Sequence, residues 1–289
     1  MKKIALISPA SPTLTPFDKD MVKDFFAAFG YEPFYGKHAF DCDRFAAGTD
    51  RDRATDVMWA FSNPDIDAIM SVRGGYGTPR LLDKIDYSII AQNPKPFFGF
   101  SDVTALQLAM FKKTELVSFT GLQASFLQQP IPTALFETFS ACLNREPMTF
   151  ENLTPLTKGS AQGTLIGGSL TMLTSLIGTP YMPDMEGAVL VIEEVGEQPY
   201  RVDRMIEQLD LSGTLARLKG VVLGGFHKCV SKDKTDGTVD DVIAERFGNL
   251  NIPVLKDFHY AHGNGEIVFP IGARAVIDAQ NGVLQINEY

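Results

Sequence analysis

A serine follows an apolar run in Lys95-Pro96-Phe97-Phe98-Gly99-Phe100-Ser101-Asp102-Val103, and an amphipathic pattern begins directly after it. This is the sequence form of a nucleophile elbow. On a sharp strand-to-helix turn the hydroxyl is thrust clear of the sheet, and the next amide sits at a helix N-terminus where it can meet an oxyanion. Gly99 supplies the first glycine of G-x-S-x-G, but position 103 is Val rather than the second. A serine or aspartate ahead of an apolar helical run also reads as an N-cap. The motif therefore needs partners elsewhere in the chain.

In open parallel sheets ligands bind at the carboxyl ends of strands, so polar residues just past apolar runs come first. Besides Ser101-Asp102, three such places stand out: Arg73-Gly74-Gly75-Tyr76-Gly77, Glu193-Glu194, and His259-Tyr260-Ala261-His262-Gly263-Asn264-Gly265. A serine hydroxyl is a poor nucleophile until a base takes its proton, and an imidazole does so near neutral pH when a carboxylate fixes its tautomer. Ser101, His262 and Glu193 fit nucleophile, base and orienting acid. Gly75 lets its amide approach a reacting carbonyl without a Cβ in the way, and the Asp102 amide is the second oxyanion donor. Each place also has a plainer reading. The glycine run can be a flexible turn or a phosphate loop, and the glutamates can simply end a strand in solvent. Among the other histidines, His227 follows a strand at Gly224-Gly225-Phe226-His227 and rivals His262 by position, whereas His38 lies in a polar early loop. His259 and His262, with Asp257 nearby, have H-x-x-H spacing, but they lack the H-E-x-x-H pattern and sit among glycines. No metal is expected.

The elements that must position these residues alternate. In the first half, short β-like runs over 3–8, 32–35, 68–72, 96–100 and 116–120 are separated by helical patterns, which predicts a parallel sheet covered by helices. Val22, Phe25, Phe26 and Phe29 recur at helical spacing, and 52–61, 103–111 and 134–143 supply further helices. The prolines and glycine of 146–160 read as a linker, dividing the chain into 1–145, with the nucleophile, and 161–289, with the acid and base. The second part begins with Gly163-Thr164-Leu165-Ile166-Gly167-Gly168. It continues with a helix through Leu170, Leu173 and Leu176, a buried strand 188–192 that stops at Glu193-Glu194, a helix from about Tyr200, and a strand 219–226. Asn281-Gly282 between alternating apolar residues signals a hairpin.

The chain has 289 residues, 45% of them hydrophobic and 21% charged, enough for a large core and more than one domain usually holds. Its formal net charge of −9 argues against sequence-independent binding of nucleic acid or anionic membrane. No window approaches the roughly 18 apolar residues of a membrane span. The N-terminal apolar run is too short for a secretory signal, and Cys42, Cys142 and Cys229 are odd in number and widely spaced, so a soluble cytoplasmic protein with structural thiols is expected.

Taken in order, these motifs resemble the LD-carboxypeptidase family of serine peptidases, which includes muropeptide LD-carboxypeptidases and microcin C self-immunity peptidases. The resemblance runs through Ile7-Ser8-Pro9-Ala10-Ser11, the Arg73 and Ser101 motifs, Gly167-Gly168-Ser169-Leu170, Gly178-Thr179-Pro180-Tyr181, Ile192-Glu193-Glu194-Val195-Gly196-Glu197, Pro199-Tyr200-Arg201-Val202-Asp203-Arg204-Met205, and His262 ahead of Phe269-Pro270-Ile271-Gly272. It implies an α/β protein with a flavodoxin-like N-terminal domain and a smaller C-terminal α/β domain. The triad of Ser101, Glu193 and His262 would assemble between them. It also implies a homodimer, no cofactor, and release of terminal D-alanine from murein tetrapeptides at the diaminopimelate L-centre. Arg73, with Gly74, is the candidate for binding the substrate carboxylate. Ser169 stands where the family usually has Asn, and Ala261 where Gly is common. The microcin branch keeps the triad but cuts a nucleotide-like conjugate; the single Trp59, on an early helix, reads as core packing rather than a nucleobase platform. A non-catalytic flavodoxin-like anion-binding module is the alternative from another class.

Overall fold

The computed structural model describes every residue except Lys234, Thr235 and Asn264. Its first sheet contains β1 (Lys2–Ile7), β2 (Tyr31–Tyr35), β3 (Ala68–Ser71), β4 (Phe97–Gly99) and β5 (Ser118–Thr120), in the order β5-β4-β3-β1-β2. All are parallel. That is the flavodoxin-like order, with the strand sequence reversing at β1 and β3. β1 and β3 are central strands, and Ile4–Ile7 and Ala68–Met70 are fully buried, as continuous apolar runs covered on both faces should be. The crossover helices start where their side chains satisfy free amides. Asp18 accepts from the amides of Asp20 and Met21 ahead of helix Lys19–Ala27, and Thr49 accepts from Asp52 ahead of helix Asp50–Ser62.

The second sheet is mixed. It contains β6 (Met148–Phe150), β7 (Thr154–Thr157), β8 (Ser160–Ser169), β9 (Val189–Val195), β10 (Gly220–His227), β11 (Val254–Lys256), β13 (Arg274–Asp278) and β14 (Val283–Glu288), in the order β6-β14-β13-β8-β9-β10-β11-β7. The β8–β11 centre is parallel and the flanking strands are antiparallel. β13 and β14 form the hairpin expected around Asn281-Gly282.

Three sequence-based boundaries shift. Residues 146–160 are not a free linker, because β6 and β7 pair with β14 and β11 as edge strands of the second sheet. Pro155 is tolerated there because an edge strand need not donate on its outer side. Residues 161–289 do not stay in one unit either: β12 (Phe269–Ile271) returns to the first sheet and pairs antiparallel with β5. Among the described residues, the first sheet has six strands and the second eight. Finally, β9 does not stop at Glu193-Glu194 but runs through both to Val195. The two sheets share one contiguous apolar cluster.

Candidate active site

Ser101 sits where β4 ends. Phe100 is still extended (φ −160°, ψ 162°), Ser101 turns to φ +63°, and a 3-10 turn over Ser101–Val103 feeds helix Thr104–Thr114. Positive φ at a non-glycine residue is strained, and such strain clusters at functional positions. Gly99 makes the tight return possible, since a Cβ there would lie 2.5 Å from Val103 Cγ1. The elbow thus forms with Val103 in place of the second glycine.

From the second sheet's side, His262 Nε2 lies 2.9 Å from Ser101 Oγ, and His262 Nδ1 lies 2.7 Å from Glu193 Oε2. An ionised carboxylate only accepts, so Nδ1–H donates to Glu193 and Nε2 is left to accept from the serine hydroxyl. The His262 backbone amide donates to the same Oε2 at 3.2 Å, and Glu193 is fully buried. Its Oε1 has no partner among the described residues. The Phe100 ring packs 4.5 Å from the imidazole and limits its rotation. Side chains alternate across a strand, so the neighbouring Glu194 points to the opposite face. There it accepts from the Thr171 amide and hydroxyl, both at 2.7 Å, at the start of helix Leu170–Ser175. Burial raises its pKa, partly offset by these bonds and one from the Val195 amide. Ser169, in the position where Asn is usual, caps the same helix by accepting from the Met172 amide.

The loop carrying His262 is pinned to β10 by backbone contacts. Phe258 N–H donates to Leu223 at 3.2 Å, and Gly225 N–H donates to Tyr260 at 3.0 Å. A Cβ on Gly224 would lie 2.2 Å from the Tyr260 carbonyl oxygen. The buried Tyr260 hydroxyl pairs with Thr120 at 2.8 Å, tying the loop to β5. In the sequence, Gly224-Gly225 reads only as the lead-in to His227. A glycine pair inside a strand is a recognisable signal of close backbone approach.

Residues 73–77 lie against the elbow. A Cβ on Gly74 would be 2.8 Å from Ser101 Cβ and 3.2 Å from its Oγ. Ser11, whose type and position in the sequence suggest no role, organises this loop. Its amide donates to Gly74 O at 3.2 Å, its hydroxyl accepts from the Tyr76 amide at 3.0 Å and donates to Phe45 O at 2.9 Å. Among the described residues, no acceptor is bonded to the amide of Gly75 or of Asp102. Arg73 and Ser101 each lie three residues beyond the last paired position of adjacent parallel strands, Met70 and Phe98. One Arg73 nitrogen donates to Pro12 O at 2.8 Å, and no carboxylate pairs with it among the described residues. The guanidinium therefore keeps donors for a ligand.

The rival histidines have other partners. His38 bonds Asp41 at 2.7 Å, and His259 lies 3.3 Å from Glu266. The His227 ring fills the space beside Gly263, where a Cβ would lie 2.6 Å from it. Among the described residues, no group of three or more His, Cys, Asp or Glu converges as a metal site would need. Asn264, part of the loop motif, lies outside the described residues. No helix among those described is long and apolar enough to cross a membrane.

Family models for the LD-carboxypeptidase N-terminal and C-terminal domains match residues 4–121 and 162–277. A murein tetrapeptide carboxypeptidase of Pseudomonas aeruginosa is 31% identical over 288 residues, covering 96% of this chain and 93% of that protein. The crystal structure of a muramoyltetrapeptide carboxypeptidase from Oxalobacter formigenes superposes with a TM-score of 0.87 at 31% identity, over 100% of this chain and 99% of that one. The microcin C7 self-immunity protein MccF, solved in complex with aspartyl sulfamoyl adenosine, superposes with a TM-score of 0.90 at 26% identity, over 100% and 96%. With both domain models matched in order and a full-length relative at this identity, the chain belongs to the LD-carboxypeptidase family.

Proposed function

We propose that this peptidase is a serine LD-carboxypeptidase that releases D-alanine from murein tetrapeptides, using Ser101, His262 and Glu193. The observation that carries the reading is the unbroken hydrogen-bonded relay from Ser101 Oγ through His262 to the buried Glu193 carboxylate. Ser101 Oγ attacks the carbonyl carbon at the diaminopimelate L-centre while its proton moves to His262 Nε2. Glu193 holds the imidazole tautomer and stabilises the imidazolium. The amides of Gly75 and Asp102 receive the developing oxyanion. Collapse of the tetrahedral intermediate breaks the C–N bond, and His262 gives its proton to the departing D-alanine amine. Water, deprotonated by His262, then hydrolyses the acyl-enzyme and restores the serine. Arg73 offers its free donors to the terminal carboxylate, which distinguishes a free C-terminus from an internal peptide bond.

The test is D-alanine release from a purified murein tetrapeptide, comparing wild type with Ser101→Ala in the presence of a chelator. Release by the wild type alone supports the reading, and no release by either removes it. The likeness to MccF bound to aspartyl sulfamoyl adenosine favours one second reading, cleavage of an acyl-nucleotide conjugate by the same relay. Ser101-dependent turnover of such a conjugate without D-alanine release would select it.

A further inference from the structure

Beside the elbow lies a buried polar network that the reaction as written does not use. Thr78 is fully buried and Asp102 is 2% exposed. The Thr78 amide donates to Asp102 Oδ2 at 2.8 Å, and the Thr78 hydroxyl shares its proton between that oxygen and the Asp102 carbonyl, 2.5 Å away. From the other side Arg53, 1% exposed, donates from one nitrogen to the carbonyls of Pro9 at 2.6 Å and Gly77 at 3.1 Å. Its other terminal nitrogen binds Asp50 at 2.5 Å, and Arg80 grips the same carboxylate at 2.9 Å and 3.0 Å. Gly77 has no room for a side chain, since a Cβ would lie 2.9 Å from the Arg53 guanidinium. Residues 77 and 78 are therefore clamped between two buried ionic groups. At its other end the loop is held by β3 and by Ser11.

Burying charges in this way is weak evidence for stability, because apolar residues of similar volume often do as well. What the network supplies is aim. Asp102 is covalently joined to Ser101, and its side chain holds the C-terminal end of the loop whose Gly74 abuts the same serine. We propose that Thr78 and the Asp102 carboxylate are positioning residues that lock residues 74–77 against the elbow, with Arg53 bracing the far side. The two oxyanion donors are thereby set relative to each other by one buried side chain. The inference rests on the serine-nucleophile reading above.

The decisive variant is Thr78→Val, which keeps the branched shape and the amide bond but deletes the hydroxyl; Thr78→Ser is the rescue. A misplaced reacting group costs roughly a hundredfold per ångström, so Thr78→Val should lower kcat by about 10- to 100-fold. KM should stay within about threefold, because the lost interaction acts in the transition state. Thr78→Ser should recover most of kcat. Labelling of Ser101 by a fluorophosphonate needs the same donors without the peptide, and it should slow in parallel. Asp102→Ala, which removes both side-chain acceptors, gives a second variant with the same expected signature should Thr78→Val not fold, as judged by near-ultraviolet circular dichroism. Wild-type kcat and labelling rate in a folded Thr78→Val, or a loss confined to KM, overturns the proposal. A wild-type protein that fluorophosphonate does not label removes the nucleophile reading and this inference with it.

Discussion

Glu193→Gln keeps the shape of the acidic side chain and removes its charge. In the resting site Glu193 Oε2 accepts two bonds, from His262 Nδ1 at 2.7 Å and from the His262 amide at 3.2 Å. In the proposed reaction His262 takes the Ser101 proton and becomes a cation 2.7 Å from a fully buried carboxylate. At an effective dielectric of about 20, two unit charges at that distance attract by about 6 kcal/mol. Since about 1.4 kcal/mol is tenfold in rate, losing all of it would cost roughly 10⁴. The glutamine carbonyl still accepts from the imidazolium, a charge-assisted bond of about 1.5–3 kcal/mol, which moves the expected loss in kcat to roughly 10²–10³. Both donors on His262 are N–H groups, so the glutamine carbonyl must face them. Its amide then occupies the place of Oε1, where no acceptor stands among the described residues. The assay is single-substrate kinetics of D-alanine release with the melting temperature followed in parallel, so that lost folding is not read as lost chemistry. KM should change little, because the charge pair forms only as the proton moves. A folded Glu193→Gln enzyme within tenfold of the wild-type kcat would falsify the role given to this carboxylate.

Three further outcomes follow from the geometry. Gly74→Ala places a Cβ 2.8 Å from Ser101 Cβ and 3.0 Å from Phe100 O, so the loop or the serine must move; kcat should fall by more than about 100-fold, and near-normal turnover would show that the loop yields freely. Arg73→Ala removes the guanidinium proposed to bind the substrate carboxylate, and a charge-assisted bond of about 1.5–3 kcal/mol translates to roughly a 10- to 100-fold rise in KM for the tetrapeptide; unchanged kinetics would assign Arg73 to holding Pro12 alone. Burial raises the pKa of Glu194 above its ordinary 4.5, so the folded protein holds that proton more tightly than the unfolded chain does. Its stabilising contribution is full below the unfolded value and is lost as pH rises through the folded one. Urea unfolding of wild type and Glu194→Gln between about pH 4 and 7 should therefore show the wild type losing ground to the variant as pH rises; a constant difference would contradict the burial argument.

The first sheet was legible because its strands are short apolar runs, such as Ala68–Ser71, separated by helices with clear periodicity. The elbow was legible for the same reason, since Phe97 and Phe98 end in a glycine and a serine just before a helical pattern. The segment 146–160 was misread because proline and glycine mark edge strands as well as linkers, and pairing with a distant strand leaves no local trace. The return of β12 to β5 was hidden likewise: Phe269-Pro270-Ile271 is a plausible strand anywhere, and only the packed core decides which sheet receives it. The roles of Thr78 and Tyr260 are not readable locally because they depend on partners far along the chain, Asp102 and Thr120.

By itself the sequence determined the residue types at the ends of the strands: a serine after β4, glycines after β3, two adjacent glutamates in β9 and a histidine in a glycine-bounded loop. It also determined that Glu193 and Glu194 face opposite ways, because alternation is a property of the extended backbone. The residues and the resemblance point to Glu193 and His262, but the contact between that carboxylate and that imidazole, rather than His227 or His259, is made only by the tertiary structure. Those contacts bring together the turn after β4 in the first sheet, a residue inside β9 in the second and the loop between β11 and β12, and their distances are set by the core packed between the sheets rather than by spacing along the chain.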